Sequence, residues 1–119
     1  MLQDILWNVP GRESFSDGEF IFRVGDPADK LYVVAEGDVE ILIGDCLIEV
    51  VPPECVFGEM ALIDDRARAA SAKAKGRCVL VPITKKHFLL LLRARPDFAI
   101  EVMRVMSRRI RSMDALKVS

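Results

Sequence analysis

Phe57-Gly58-Glu59-Met60-Ala61-Leu62-Ile63-Asp64-Asp65-Arg66-Ala67-Arg68-Ala69-Ala70-Ser71-Ala72-Lys73-Ala74 is the stretch on which the reading of this chain turns. A glycine opens a short apolar turn of helix, Gly58 to Ile63, and a carboxylate follows it at once. After a charged loop, one arginine, Arg68, is set down among small residues. Glycine lets backbone approach an anion, a helix start offers N–H groups with no intrahelical partner, and arginine supplies the counter-charge. That combination suits a pocket for a small organic phosphate. Taken singly, Glu59 and Arg68 read as a surface ion pair, and Ala69, Ala70, Ser71 and Ala72 as a crowded strand pair. Taken with Phe57-Gly58 and Ala61-Leu62-Ile63, they read as one cassette.

Working outward, the chain from Phe15 to Pro82 reads as short strands broken by turns. Glu19 to Val24 is followed by the turn residues Gly25-Asp26-Pro27. Leu31 to Glu36 is β-branched and aromatic, Gly37-Asp38 marks its end, and Val39 to Ile43 follows. Gly44-Asp45 between two apolar runs is a hairpin signal leading into Leu47 to Val51, which Pro52-Pro53 stops. Ala69 to Ala74 and Cys78 to Ile83 read as another hairpin turning at Lys75-Gly76. This rhythm predicts a mainly β fold, a small antiparallel barrel or jelly roll. Thr84 is a candidate N-cap for a helix over Lys85 to Arg95, and Pro96 suits the first turn of a second helix running through Leu116. On that helix Phe98, Val102 and Val105 form one apolar set, and Met103, Met106, Ile110 and Met113 another with three–four spacing. Two readings of the second set stand: a seam for a second copy of the chain, or part of one broad face docked on its own domain. The expected organisation is a single domain, with a short N-terminal arm or helix over 1–13, a β-roll over 14–83 carrying the cassette at 57–71, and two helices over 84–119.

Composition narrows the function classes. The chain has 119 residues, 51% of them hydrophobic, enough for a packed core. Its formal net charge of −1 calls for no polyanionic partner. Arginines gather in the last quarter, at Arg93, Arg95, Arg104, Arg108, Arg109 and Arg111, where they read as a solvated helix face; no direct DNA binding is expected. Three cysteines at wide spacing, Cys46, Cys55 and Cys78, argue against a disulfide framework or zinc site and for a cytoplasmic protein. No apolar run reaches the length of a membrane span. One histidine, His87, is too few for the metal-binding histidine clusters of small-barrel enzymes, and no nucleophile–base pair is visible. The expectation is that the chain is not an enzyme and uses no catalytic cofactor or metal.

The run Phe57 to Ile63 with Arg68 to Ala74 resembles the phosphate-binding cassette of cyclic-nucleotide-binding domains, as found in catabolite-activator-type regulators, regulatory subunits of cyclic-AMP-dependent kinase and nucleotide-gated channels. The resemblance extends back through Gly25 to Ile41 and forward through the two helices, over roughly four-fifths of the chain. It implies a jelly-roll sensor that binds a cyclic nucleotide. By position, Glu59 would take the ribose 2′-hydroxyl and Arg68 the cyclic phosphate. Backbone N–H groups of Gly58 and Ala69 would reach phosphate oxygens, with Met60, Ala61 and Ala70 lining the site. Ser71 would donate to the ligand or serve as a strand residue. In this family a threonine after the arginine accompanies cyclic-GMP preference; Ala69 stands there, which implies cyclic AMP (cAMP) over cyclic GMP (cGMP). A buried arginine is costly without a partner, so the site is expected to be partly open or loosely ordered without its ligand. Ligand would draw the cassette inward and close the last helix as a lid, hinged at Ile83–Lys86 or at Arg95–Pro96, with a homodimer through that helix as a further possibility. The helical lead-in is short for the family and no helix-turn-helix pattern follows the last helix. The sequence is therefore expected to be a fragment or a minimal form, the sensor part of a regulator or channel, or a docking module that kept the fold without the ligand.

Overall fold

The computed structural model describes residues 9–118, with side chains through residue 111. Strands β1 (Glu13–Phe15), β2 (Phe20–Phe22), β3 (Lys30–Ile43), β4 (Cys46–Val51) and β5 (Val56–Phe57) precede a short helix α1 (Glu59–Asp64). Strand β6 (Ser71–Thr84) and helices α2 (Lys85–Ala94) and α3 (Pro96–Val118) complete the order. The chain divides into two compact units, Met1–Lys85 and Lys86–Ser119.

Two long strands organise the first unit. β3 and β6 pair antiparallel from Lys30 opposite Thr84 to Leu42 opposite Ser71. β4 continues the sheet from β3, with Val39 opposite Val51 and Ile43 opposite Cys46, and β5 pairs with β3 at Tyr32 and Val33. β1 and β2 pair with β6, at Leu80–Cys78 and at Lys73–Ala72 respectively. The result is an antiparallel β jelly roll with helices at its C-terminal end, as the strand rhythm predicts.

Two expected turns are absent. The runs Leu31 to Glu36 and Val39 to Ile43 are one strand, and so are Ala69 to Ala74 and Cys78 to Ile83, apart from the two residues before Ser71. Lys75-Gly76 is not a hairpin turn. The glycines mark instead a break in register on either side of Glu36, between Val34 and Asp38. Extra residues in a ladder bend it and raise its twist. Gly37 is held there at φ +83°, and a Cβ on it would lie 2.3 Å from the carbonyl oxygen of Arg77, so only glycine fits. The bend has a consequence for packing. Tyr32 and Val39 would stand about 23 Å apart along an extended strand. Yet Tyr32, Val34 and Leu80 from one side of the break share a single core with Val39, Val51, Ala72 and Ala74 from the other. The inner faces of the two halves therefore meet. Each fully buried aliphatic or aromatic side chain there contributes about 1.5–3 kcal/mol.

The expected N-terminal arm or helix falls mostly on residues 1–8, outside the described residues, while β1 begins inside its range at Glu13. In the second unit, the Arg95 carbonyl accepts from the N–H groups of Phe98 (3.0 Å) and Ala99 (3.4 Å), and Pro96 starts α3 as expected of a residue with no N–H to lose. Phe88 and Phe98 pack edge to face with ring centres 6.0 Å apart. Phe98, Val102 and Val105 are buried, whereas Met103 and Ile110 of the second apolar set are exposed; the side chain of Met113 lies outside the described residues. Among the described residues no helix is long and apolar enough to cross a membrane.

Candidate ligand-binding site

The cassette begins where β5 ends. Phe57 is buried, and Gly58 turns the chain at φ 81°, ψ 7°, a left-handed conformation that glycine adopts without a steric penalty. Six residues of helix follow. Glu59 and Leu62 face inward and Ile63 is 43% exposed. The helix ends at Asp65, also left-handed, whose N–H bonds back to the carbonyl of Ala61. Asp65 in turn pairs with the ammonium of Lys85. The chain then runs through the charged loop to Arg68 and enters β6 at Ser71.

Arg68 is the centre of the arrangement. Only 4% of it is exposed, so the expectation of a partly open site at the arginine is not met. The physical reason is that the protein supplies partners of its own. Nη1 donates to the carbonyl of Gly58 at 2.7 Å and Nη2 to the carbonyl of Lys30. The Phe22 ring lies against the guanidinium, 4.0 Å from ring centre to central carbon. Burial pushes the pKa of Arg68 below its ordinary value, and the nearby Tyr32, Asp29, Glu59 and Asp26 oppose that shift. One nitrogen is left over: Nε is buried with no hydrogen-bond partner among the described residues. A buried N–H without an acceptor is rare in native proteins and calls for an explanation.

The backbone of Arg68 is also held. Its N–H donates to the carbonyl of Asp26 (2.9 Å) and its carbonyl accepts from the N–H of Gly25 (2.8 Å). The same turn is closed by the N–H of Arg23 on Oδ2 of Asp26 at 2.9 Å. The Ser71 hydroxyl accepts from the N–H of Val24 at 3.0 Å, so this side chain ties the turn after β2 to the start of β6. Beneath the guanidinium lies an aromatic trio. Tyr32 stacks on Phe57 with ring centres 5.3 Å apart, and Phe22 leans on both at 6.2 and 6.0 Å.

Of the residues singled out from sequence, Gly58 and Arg68 are brought into direct contact, and Glu59, 1% exposed, lies within electrostatic reach of the arginine. Met60, Ala61 and Ala70 are half-buried and Ala69 is exposed. Residues that sequence reasoning did not identify include Phe22, the carbonyl of Lys30, and the backbone of Gly25 and Asp26. The Gly25-Asp26-Pro27 turn signal was present, but backbone donors and acceptors carry no residue-type signature. Chemically, the site offers a fixed positive charge with a bare donor, next to a buried carboxylate, at a glycine turn. Such a set fits a ligand that carries one anionic group and neighbouring hydroxyls.

Comparisons with known proteins agree with this chemistry. Residues 12–95 match the family described as the cyclic nucleotide-binding domain. The cAMP-dependent protein kinase regulatory subunit of Dictyostelium discoideum is 37% identical over 63% of this chain and 25% of its own length. Human cGMP-dependent protein kinase 2 is 33% identical over 61% of this chain and 9% of its own. The crystal structure of the Thermus thermophilus catabolite activator protein superposes with a TM-score of 0.82 at 30% identity, over 96% of this chain and 56% of that one. The chain thus spans a quarter of the first relative and little more than half of the crystallised protein.

Proposed function

The chain belongs to the cyclic nucleotide-binding domain family, and we propose that it is a cAMP-sensing regulatory module with no catalytic activity of its own. The observation that carries the reading is Arg68, buried, held on two carbonyls and an aromatic ring, with Nε bare. In this reading the anionic oxygen of the cyclic phosphate takes the Arg68 donor. Glu59 accepts from the ribose 2′-hydroxyl, and the N–H groups of Gly58 and Ala69 complete the phosphate contacts. Met60, Ala61, Ala70 and Ser71 line the site. Ala69, in place of a threonine hydroxyl, supports cAMP over cGMP.

Coupling to an output needs two states that the ligand distinguishes. We place them in the C-terminal helices, with α3 closing toward the base and the hinge at Ile83–Lys86 or Arg95–Pro96. Pairing of two chains through Met103 and Ile110, both exposed, would pass the change to a second copy. Cys46, Cys55 and Cys78 are joined in no disulfide among the described residues, which supports a reducing, cytoplasmic setting. The test is calorimetric titration of the purified chain with cAMP and with cGMP. One-to-one binding with cAMP the tighter ligand is expected. Tighter binding of cGMP overturns the choice of base, and no heat from either leaves a docking module without a ligand. Hydrogen exchange with and without cAMP tests the lid: protection is expected in α3 as well as at 57–71, and protection confined to the cassette removes the lid.

A further inference from the structure

We infer that Phe22 is a positioning residue for the ligand's anionic group, acting through Arg68. The inference rests on the reading of the site as a cyclic-nucleotide site. A guanidinium has two faces and three nitrogens, and the structure accounts for most of them. One face is covered by the Phe22 ring at 4.0 Å. Nη1 and Nη2 are on the carbonyls of Gly58 and Lys30. The residue's own backbone is fixed by Gly25 and Asp26. What remains is the Nε–H, the one guanidinium nitrogen with no hydrogen bond at all among the described residues, and a second N–H on each of Nη1 and Nη2.

The ring is what sets the plane. The two carbonyl bonds define a line along the nitrogen edge, about which the guanidinium can still rock; a flat surface against one face stops that motion. Phe22 is itself unable to drift, because it is wedged on Tyr32 and Phe57, which are 4% and 1% exposed. A methyl group at position 58 would lie 3.5 Å from Cε2 of Phe22 and 2.8 Å from Nη1, so ring, glycine and guanidinium form one packed layer. A leucine at position 22 would fill similar space without the negative π-face that attracts a cation. Phe22 touches no ligand atom in this scheme; it sets the direction in which Nε–H points.

The test uses the full chain and its Phe22→Leu, Phe22→Met and Phe22→Tyr variants, each made alone and again in an Arg68→Gln background. Calorimetry with cAMP should show Phe22→Leu and Phe22→Met weaker by about five- to thirtyfold, the scale of a partly desolvated cation–π contact. Phe22→Tyr keeps both ring face and volume and should bind within about twofold of the starting protein; the loss in Phe22→Met, which fills much of the space without a π-face, is what separates the ring face from core volume. In the Arg68→Gln background the same changes should leave affinity unaltered. NMR gives a readout independent of variant folding: the Arg68 side-chain protons should be shifted upfield by the ring in the unmodified protein. Undiminished cAMP binding by folded Phe22→Leu, an equal loss in the Arg68→Gln background, or no ring-current shift overturns the inference alone. Failure of the unmodified chain to bind either cyclic nucleotide overturns the site reading and this inference with it.

Discussion

Replacing Gly58 by alanine tests the geometry of the site directly, because two separate costs are expected and can be told apart. Gly58 sits at φ 81°, and an L residue held in the left-handed region costs roughly 1–2 kcal/mol. The added Cβ would also lie 2.8 Å from Nη1 of Arg68, closer than real contacts allow. The guanidinium cannot swing freely away, since Phe22 covers one face and Nη2 is bonded to Lys30. It must give up or stretch the 2.7 Å bond to the Gly58 carbonyl, and a hydrogen bond to a charged group is worth about 1.5–3 kcal/mol. Allowing for partial relaxation, Gly58→Ala should destabilise the protein by about 2–4 kcal/mol and lower Tm by roughly 10–20 °C. In an Arg68→Ala background only the backbone cost remains, about 1–2 kcal/mol. Urea unfolding followed by far-ultraviolet circular dichroism on the four proteins gives the coupling energy. A cost that is the same in both backgrounds, or below about 0.5 kcal/mol in the first, refutes the packed layer of glycine, ring and guanidinium.

Arg68→Ala should weaken cAMP binding by about 2–4 kcal/mol and Glu59→Gln by less, measured by calorimetry; a larger loss from the glutamate change would reverse the assigned roles. Gly37→Ala should cost at least about 3 kcal/mol in thermal unfolding, since its Cβ meets a backbone oxygen that no rotamer change can move. Burial raises the pKa of the Cys78 thiol above 9.0 and of the Tyr32 phenol above 10.0. The unfolded chain then releases those protons first, so stability is fully present below about pH 9 and falls as pH rises through the folded pKa values. Urea midpoints compared at pH 8 and pH 10 check the sign, and a midpoint that rises with pH contradicts it.

The cassette was legible because its requirements are local. A glycine at a forced turn, a carboxylate at the next position and an arginine among alanines are each visible as residue types at fixed spacing. Pro96 was legible for the same reason, as a residue that fits only the first turn of a helix. The corner of the roll was not. Gly37-Asp38 and Lys75-Gly76 carry the same residues as a reverse turn, because a bend in a continuous ladder and a chain reversal both ask for positive φ. Only the pairing of β3 with β6, set by residues forty or so positions away, separates the two outcomes. The partners of Arg68 were hidden for a different reason. Two of them are main-chain carbonyls, and the third, Phe22, reads from sequence as one more apolar strand residue. The cost of enclosing an arginine depends on the groups that offset it, and here those groups carry no signal in the sequence.

Those groups also distinguish charge from shape, and Arg68→Lys separates the two. Lysine keeps a unit positive charge at the same place but has a compact ammonium in place of a planar fork. It cannot hold the carbonyls of Gly58 and Lys30 together while lying flat on Phe22 and leaving a directed donor over. If the site works through net charge alone, the lysine variant should keep most of its affinity, and its Tm should rise with cAMP as in the unmodified protein. If it works through the fixed geometry seen at Arg68, the variant should lose affinity nearly as Arg68→Ala does. Ligand at a hundredfold excess over Kd stabilises a folded protein by about 2.7 kcal/mol, so an intact site gives a thermal shift of several degrees. We expect that shift to be nearly absent for Arg68→Lys at the same cAMP concentration. A lysine variant that melts higher with cAMP by the same margin as the parent would show that the carbonyl and ring contacts serve only to bury the side chain, with no part in aiming it.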